Sequence, residues 1–288
     1  MSFLSLINGK FTRYISILDR GLAYGDGFFE TMKWRICENN GNPKVEFWNR
    51  HFNRINKGCN LLKINIPTEK VILNHRNKLL KKAKKQGLNS GILKLIITRG
   101  EGGRGYRYDK GMKPNIIFLH FEPKQISSRI YLDGVKVIFC SQCFTENTHL
   151  SGFKHLNRLD SIITRAEWDD DGIFEGLILD KDKNIVEGTM TNIFFIKDNV
   201  LFTPKICSSG IKGIMREIVI DKMISLFEGI RIKKLSKSQL LKADSIFLTN
   251  SIVGLVPVKQ VNKLKFNIDN SLQKFREKFN QQNNLEMF

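Results

Sequence analysis

Gly152-Phe153-Lys154-His155-Leu156-Asn157-Arg158-Leu159 is the stretch on which the reading of this chain turns. Leu156, Leu159, Ile163 and Ala166 recur at helical spacing, which predicts a helix with those residues inward. Lys154 stands at its start. A helix N-terminus carries partial positive charge and disfavours a cation, so an ordinary surface role explains this lysine poorly. The helix ends at Asp169-Asp170-Asp171-Gly172, a run that reads as a solvated helix end and not as a metal site.

Three further segments stand out on either side. Upstream lies Asp19-Arg20-Gly21-Leu22-Ala23-Tyr24-Gly25-Asp26-Gly27-Phe28-Phe29-Glu30-Thr31, where glycines that suit tight turns surround charged and aromatic residues. Downstream lie Val186-Glu187-Gly188-Thr189-Met190-Thr191-Asn192-Ile193-Phe194 and Gly210-Ile211-Lys212-Gly213-Ile214-Met215-Arg216. The rest of the chain mixes strand and helix signals. Val45–Trp48, Ile92–Thr98 and Asn115–Phe121 read as strands. Phe52, Ile55, Cys59 and Leu62 fall at helical spacing, and a second helix runs from Pro67-Thr68-Glu69 to Gly87. His75, on its apolar side, is expected in the core. Beyond a strand from Val135, short strands are predicted at Gly176–Leu179, Thr191–Ile196, Val200–Thr203 and Ser245–Thr249. Helices are predicted at about Gly213–Phe227 and Ile268–Phe279, and Ser236 with Gln239 forms a capping box for another. The fold class is α+β or mixed α/β in two domains: a small N-terminal domain over residues 1–121, a polar linker over 122–130, and a larger C-terminal domain over 131–288.

The chain has 288 residues, 41% of them hydrophobic and 26% charged, which excludes global disorder and lets a sizeable core form without staples. Its formal net charge is +19. That charge is spread along the chain, with Lys81, Lys82, Lys84 and Lys85 as its dense cluster. There is no zinc-finger spacing and no RNP-type aromatic motif, so a nucleic-acid module is disfavoured; an ordinary solvated basic surface and a funnel for an anionic small molecule are the other readings of the charge. Five cysteines fit no disulfide or zinc framework, and Cys140-Ser141-Gln142-Cys143 ends an apolar strand. Reduced thiols suit a cytoplasmic location. No basic leader opens the chain, and no run reaches the ~20 apolar residues of a membrane span.

The four segments, in this order, resemble the class IV aminotransferase family, the fold-type IV pyridoxal 5'-phosphate (PLP) enzymes, over nearly the whole chain. The resemblance implies a two-domain architecture like that of the D-amino-acid aminotransferases, with PLP in the C-terminal domain, and a homodimer. It implies that Lys154 is the catalytic lysine and holds PLP as a Schiff base, which needs an amine of lowered pKa. Glu187 is then the carboxylate facing the pyridine nitrogen. Arg54, in His51-Phe52-Asn53-Arg54-Ile55, matches the phosphate-binding arginine, whose guanidinium grips two oxygens at once. Ile214 and Met215 lie where a loop enters a helix, and their backbones suit a phosphate. Ser251 matches a further phosphate contact.

Within the family, Gly152–Leu159 and the loop Arg99–Tyr106 resemble the aminodeoxychorismate lyase subfamily. That branch implies conversion of 4-amino-4-deoxychorismate to 4-aminobenzoate and pyruvate, in folate biosynthesis. Lys94, Arg99, Arg104 and Tyr106, around a glycine-rich loop, are the expected ligands of the substrate carboxylates. Thr31 and Asn157, inside the motifs, are expected to touch cofactor or substrate. No metal is implied. A D-amino-acid or branched-chain aminotransferase of the same fold stays open as the alternative. Phe29 stands where the D-amino-acid enzymes carry an active-site tyrosine, and the Lys154–Arg158 run differs from that of the branched-chain enzymes.

Overall fold

Along Gly27–Ile36 burial alternates: Phe28, Glu30, Met32 and Trp34 are buried, while Phe29, Thr31 and Lys33 are half-buried on the other face. This strand organises the first of two units in the computed structural model, which describes residues 3–123, 126–222, 226–268 and 270–283. The units are Met1–Lys124 with Phe153–Asn157, and Gln125–Gly152 with Arg158–Phe288. The short segment around Lys154 thus belongs to the first unit, apart from the C-terminal span in which the sequence reading set it.

In the first unit the elements are β1 (Phe3–Ile7), β2 (Lys10–Phe11), α1 (Arg20–Tyr24), β3 (Gly27–Ile36), β4 (Pro43–Val45), α2 (Trp48–Leu61), α3 (Glu69–Lys85), β5 (Ser90–Thr98) and β6 (Asn115–Phe121). The strands form an antiparallel sheet in the order β2-β1-β6-β5-β3-β4. Ile55 and Cys59 of α2 and Ile72, Leu79, Leu80 and Ala83 of α3 join Phe28, Met32, Leu93 and Phe118 in one core. The larger of these side chains, Ile, Leu, Met and Phe, each contribute about 1.5–3 kcal/mol on burial. The expected strand at Val45–Trp48 stops at Val45. Phe47 takes a left-handed turn at φ 51°, and Trp48 begins the helix. His75 is only half-buried, against Gly9.

The second unit holds α4 (Arg129–Leu132), β7 (Val135–Cys143), α5 (Leu159–Arg165), β8 (Ile173–Leu179), β9 (Asn184–Gly188), β10 (Asn192–Lys197), β11 (Val200–Pro204), α6 (Ile214–Lys222), β12 (Gly229–Lys233), β13 (Leu235–Ser236), α7 (Lys237–Leu241), β14 (Ser245–Asn250), β15 (Gly254–Val261), β16 (Leu264–Lys265) and α8 (Asn270–Asn283). Its strands run in the order β12-β11-β10-β14-β15-β7-β8-β9-β13, with β16 on β15. The pairs β11/β12, β15/β7 and β7/β8 are parallel and the rest antiparallel. Val137, Leu177, Ile193, Leu248 and Val256 form its core. Cys140 lies in this interior, where burial pushes its thiol up to about 12. The capping box of Ser236 and Gln239 is formed.

One helix reverses its expected orientation. Leu159 and Ile163 of α5 are 70% and 56% exposed, and Thr164 is the buried residue. A helix of two turns is placed by its flanking strands more than by its own apolar spacing. Of the expected linker, residues 124 and 125 lie outside the described residues, and Arg129 and Ile130 already belong to α4. Residues 223–225 of the expected helix after Gly213, and residue 269 of the last one, also lie outside them.

Candidate active site

Lys154 is fixed by an open strand edge. β4 covers β3 only at Trp34–Ile36, so Gly27–Phe29 would lack partners on that side. The segment carrying Lys154 fills the gap: Phe29 N donates to Lys154 O at 2.9 Å and Leu156 N to Gly27 O at 3.0 Å. Phe153 packs edge-on to Phe28 and anchors the segment to the core. The Lys154 ammonium then lies 4.4 Å from the centre of the Phe29 ring. Lys94, opposite Thr31 in the β3–β5 register, places its own ammonium 5.0 Å from the same ring. Burial lowers the pKa of Lys94. Lys154, Lys94 and Thr31 therefore share one neighbourhood, on the half-buried face of the sheet.

The other face carries a charged cluster inside the core. Glu30 is 1% exposed. Its carboxylate accepts from Arg54 Nε at 2.7 Å and Nη2 at 2.6 Å, and meets His51 Nδ1 at 2.6 Å. Burial raises the Glu30 pKa, but the charges and hydrogen bonds of Arg54 and His51 outweigh it and hold the group at about 2. Since Glu30 is ionised and accepts, the network assigns the proton of a neutral His51 to Nδ1. Burial lowers the His51 pKa against the pull of Glu30. Arg54, expected at a phosphate, is thus oriented by a forked bond to a carboxylate. His51 and Arg54 lie three residues apart on α2. That spacing shares a face and was a usable signal for the pair.

The glycine-rich loop is braced from the motif at Asp19–Thr31. Arg20 donates to Gly105 O at 2.9 Å and Tyr106 O at 3.3 Å, and Tyr24 Oη accepts from Gly105 N at 3.0 Å. Asp26 bridges Arg20 and Arg99 at 3.0 and 2.7 Å. This corrects the role expected for Arg99. Its guanidinium is buried, takes both Asp26 oxygens, donates to Lys63 O and Leu62 O, and stacks 3.7 Å over Tyr108. It holds the loop and is committed to protein groups. Arg104 is exposed in the loop, and Tyr106 is 86% exposed beside Tyr24. The exposed Asn157 amide donates to Gly25 O at 3.1 Å and braces the turn after α1.

In the second unit, Glu187 stands one residue before the end of β9 with its side chain buried. One carboxylate oxygen accepts from Asn192 Nδ2 and from Ile211 N, both at 2.9 Å. Asn192 also donates to Ile211 O, which ties Glu187 to the loop entering α6. Burial lowers the pKa of Arg158 and of Arg216, and the charge of Glu187 opposes it in both. The turn between Glu187 and Asn192 is held by Glu175. This buried carboxylate accepts from Thr189 N, Met190 N and Gly176 N and from the hydroxyls of Thr189 and Thr191. The side chains of Ile214 and Met215 are buried in the core, so their part in any ligand contact is through backbone. Ser251 is half-buried in the turn after β14, which Asn250 shapes by accepting from Ile252 N and Val253 N at 2.8 Å. Thr249, the residue of β14 opposite Asn192, is fully buried, and its hydroxyl has no hydrogen-bond partner. Sequence reasoning did not single out Glu30, His51, Asp26, Glu175, Asn192 or Thr249 as site residues. Their signal is the burial of polar groups, which one sequence does not display.

PLP asks for an amine, an anion opposite its ring nitrogen, and donors for its phosphate. The first unit offers the amine of Lys154 and the guanidinium of Arg54; the second offers the buried carboxylate of Glu187, the first-turn N–H groups of α6 and the orphaned Thr249 hydroxyl. The residues fit the group.

Comparison with known proteins agrees. The family model for amino-transferase class IV matches residues 27–261. The crystal structure of 4-amino-4-deoxychorismate lyase from Pseudomonas aeruginosa is 33% identical, with a TM-score of 0.86, covering 96% of this chain and 98% of that one. Among curated relatives, an aminodeoxychorismate lyase of Vibrio harveyi is 28% identical over 263 residues, 91% of this chain and 93% of its own. A putative branched-chain-amino-acid aminotransferase of Methanocaldococcus jannaschii is 29% identical over 283 residues, 95% and 94% of the two chains. The chain belongs to the class IV aminotransferase family and is a PLP-dependent enzyme.

Proposed function

We propose that this enzyme is an aminodeoxychorismate lyase, which splits 4-amino-4-deoxychorismate into 4-aminobenzoate and pyruvate. The observation that carries the reading is the pair of amines on the Phe29 ring, Lys154 at 4.4 Å and Lys94 at 5.0 Å. One amine performs covalent and proton chemistry while the second neutralises a substrate carboxylate beside it. The Pseudomonas aeruginosa and Vibrio harveyi lyases support this branch of the family.

When bound, PLP supplies an electron sink for the charge left on a carbon that loses a proton. Lys154 would hold the cofactor through Nζ and, with its amine free, would take the proton from the amine-bearing ring carbon. Loss of the enolpyruvyl oxygen substituent as pyruvate leaves an aromatic ring, which makes the elimination downhill. Glu187, oriented by Asn192 and Ile211 N, would be the carboxylate that keeps a proton on the pyridine nitrogen. Arg54, forked on Glu30, the first-turn N–H groups of α6 and Ser251 would each serve as ligands of the phosphate. Lys94, Thr31 and the exposed Arg104 and Tyr106 of the braced loop receive the anionic substrate. A homodimer in the cytoplasm completes the proposal. Among the described residues, no helix is long and apolar enough to cross a membrane.

The test supplies 4-amino-4-deoxychorismate without any keto-acid acceptor. The expected outcome is stoichiometric 4-aminobenzoate and pyruvate. Leucine and D-alanine are assayed beside it with 2-oxoglutarate. Efficient transamination of either, with 4-amino-4-deoxychorismate left intact, overturns the lyase reading in favour of an aminotransferase.

A further inference from the structure

Thr249 is out of place in the strand that carries it. The strand residues Ile246, Phe247 and Leu248 are buried and apolar, as the interior of a sheet requires. Thr249 is equally buried, at 0% exposure, and its Oγ1 has no partner. A buried hydroxyl without a partner has lost its water and gained nothing, so valine, of nearly the same shape, is the better residue for the protein alone. Two other buried threonines of this unit are satisfied: Thr203 donates to Ile193 O at 2.9 Å, and Thr191 to Glu175 at 2.9 Å.

The register shows where the hydroxyl points. Thr249 stands directly opposite Asn192 in the antiparallel β10–β14 pair, so both side chains leave the same face of the sheet. Asn192 reaches Glu187 and the Ile211 peptide on that face and closes against Gly213, the residue before α6. α6 packs on β14. The Thr249 hydroxyl therefore faces the start of α6, a nine-residue helix whose first-turn N–H groups have no partner within it. A hydroxyl and a helix N-terminus together offer donors to an oxyanion.

We infer that Thr249 is a phosphate ligand: its Oγ1 donates to the phosphate of the cofactor at the α6 N-terminus. The inference rests on the placement of the PLP phosphate at α6 and adds a residue to it. Thr249 serves the ligand at a cost to the empty protein, and that trade separates a ligand role from a structural one.

The experiment strips the cofactor from the full-length protein and titrates it, by absorbance and fluorescence, with PLP, with pyridoxal, which lacks the phosphate, and with inorganic phosphate. One hydrogen bond to a charged group corresponds to roughly 10–150-fold in affinity. Thr249→Val should weaken PLP by about that factor, leave pyridoxal unchanged and weaken inorganic phosphate. The cofactor-free variant should melt at the wild-type temperature or above it. Thr249→Ser, which keeps the hydroxyl, should restore most of the PLP affinity. Unchanged PLP affinity in Thr249→Val overturns the inference. So does an equal loss for PLP and pyridoxal, or a lowered melting temperature of the cofactor-free protein, each of which gives the hydroxyl a structural role. A wild type that binds neither PLP nor pyridoxal overturns the cofactor placement itself, and this is read before any variant is made.

Discussion

Glu30 concentrates the residue-scale physics of the first unit. Burying a carboxylate is costly, and here the charges of Arg54 and its hydrogen bonds with Arg54 and His51 reverse the effect on its pKa. Glu30→Gln leaves the Arg54 guanidinium facing a neutral group, and breaking a buried ion pair costs about 3–5 kcal/mol. Urea unfolding of the cofactor-free protein at neutral pH should show a loss of that order. The pH dependence follows from the sign of the shift. The folded value of about 2 lies below the ordinary 4.5, so the stabilisation is complete above 4.5 and is lost as pH falls toward 2. The gap between wild type and Glu30→Gln should narrow across that window. A gap that stays constant with pH assigns the loss to shape and not to charge. The same cluster shows how a sequence underdetermines a site. The motif made Arg54 a candidate phosphate ligand, but nothing in the motif says that Glu30 spends two hydrogen bonds on orienting it. Arg99 was misread for the mirror-image reason: an arginine beside a glycine loop looks like a ligand for carboxylates until Asp26 is seen to occupy it.

At the scale of elements, α2 and β3 depend on a close approach at Gly58. A Cβ on this residue would lie 2.9 Å from the Phe28 ring, and Phe28 is 2% exposed. Alanine gains about 1 kcal/mol of helix propensity, whereas displacing a packed ring costs typically 1–3 kcal/mol. The expected net result for Gly58→Ala is destabilisation, read as a lowered urea midpoint with an unchanged slope. A midpoint at or above wild type would show that the ring shifts freely. The interface matters because α2 brings His51 and Arg54 to Glu30. Helices with a sustained apolar period were legible in the sequence: α3 buries Ile72, Leu79, Leu80 and Ala83, four of the residues its period sets on one side. Elements whose pattern is overwritten were not. The glycines and charges of Asp19–Thr31 hide the start of β3, because the strand alternates a core face with a half-buried one that carries Phe29 and Thr31. α5 failed differently, since its apolar side is exposed in the folded unit.

For the whole molecule, the formal charge of +19 is the dominant long-range term, and it gives the proposed substrate, a dicarboxylate of net negative charge, a reason to approach quickly. Two sources of attraction can be separated. Arg104 is a local cation on the braced loop, whereas Lys82 and Lys85 at the end of α3 belong to the general field. Fields of exposed charges are screened over about 30 Å at 0.01 M salt and about 10 Å at 0.1 M. For wild type, kcat/KM on 4-amino-4-deoxychorismate should therefore fall as salt rises across that range, with kcat nearly constant. Arg104→Ala should raise KM and flatten the salt dependence, because the removed charge is the one that contacts the substrate, while PLP affinity is retained. Lys82→Glu with Lys85→Glu lowers the formal charge by four, and should reduce kcat/KM at low salt only, converging on wild type once screening is complete. Convergence of both variants at high salt would make Arg104 merely part of the field and remove it from the proposed contact set. A wild-type kcat/KM indifferent to salt would show that the positive surface has no part in substrate capture.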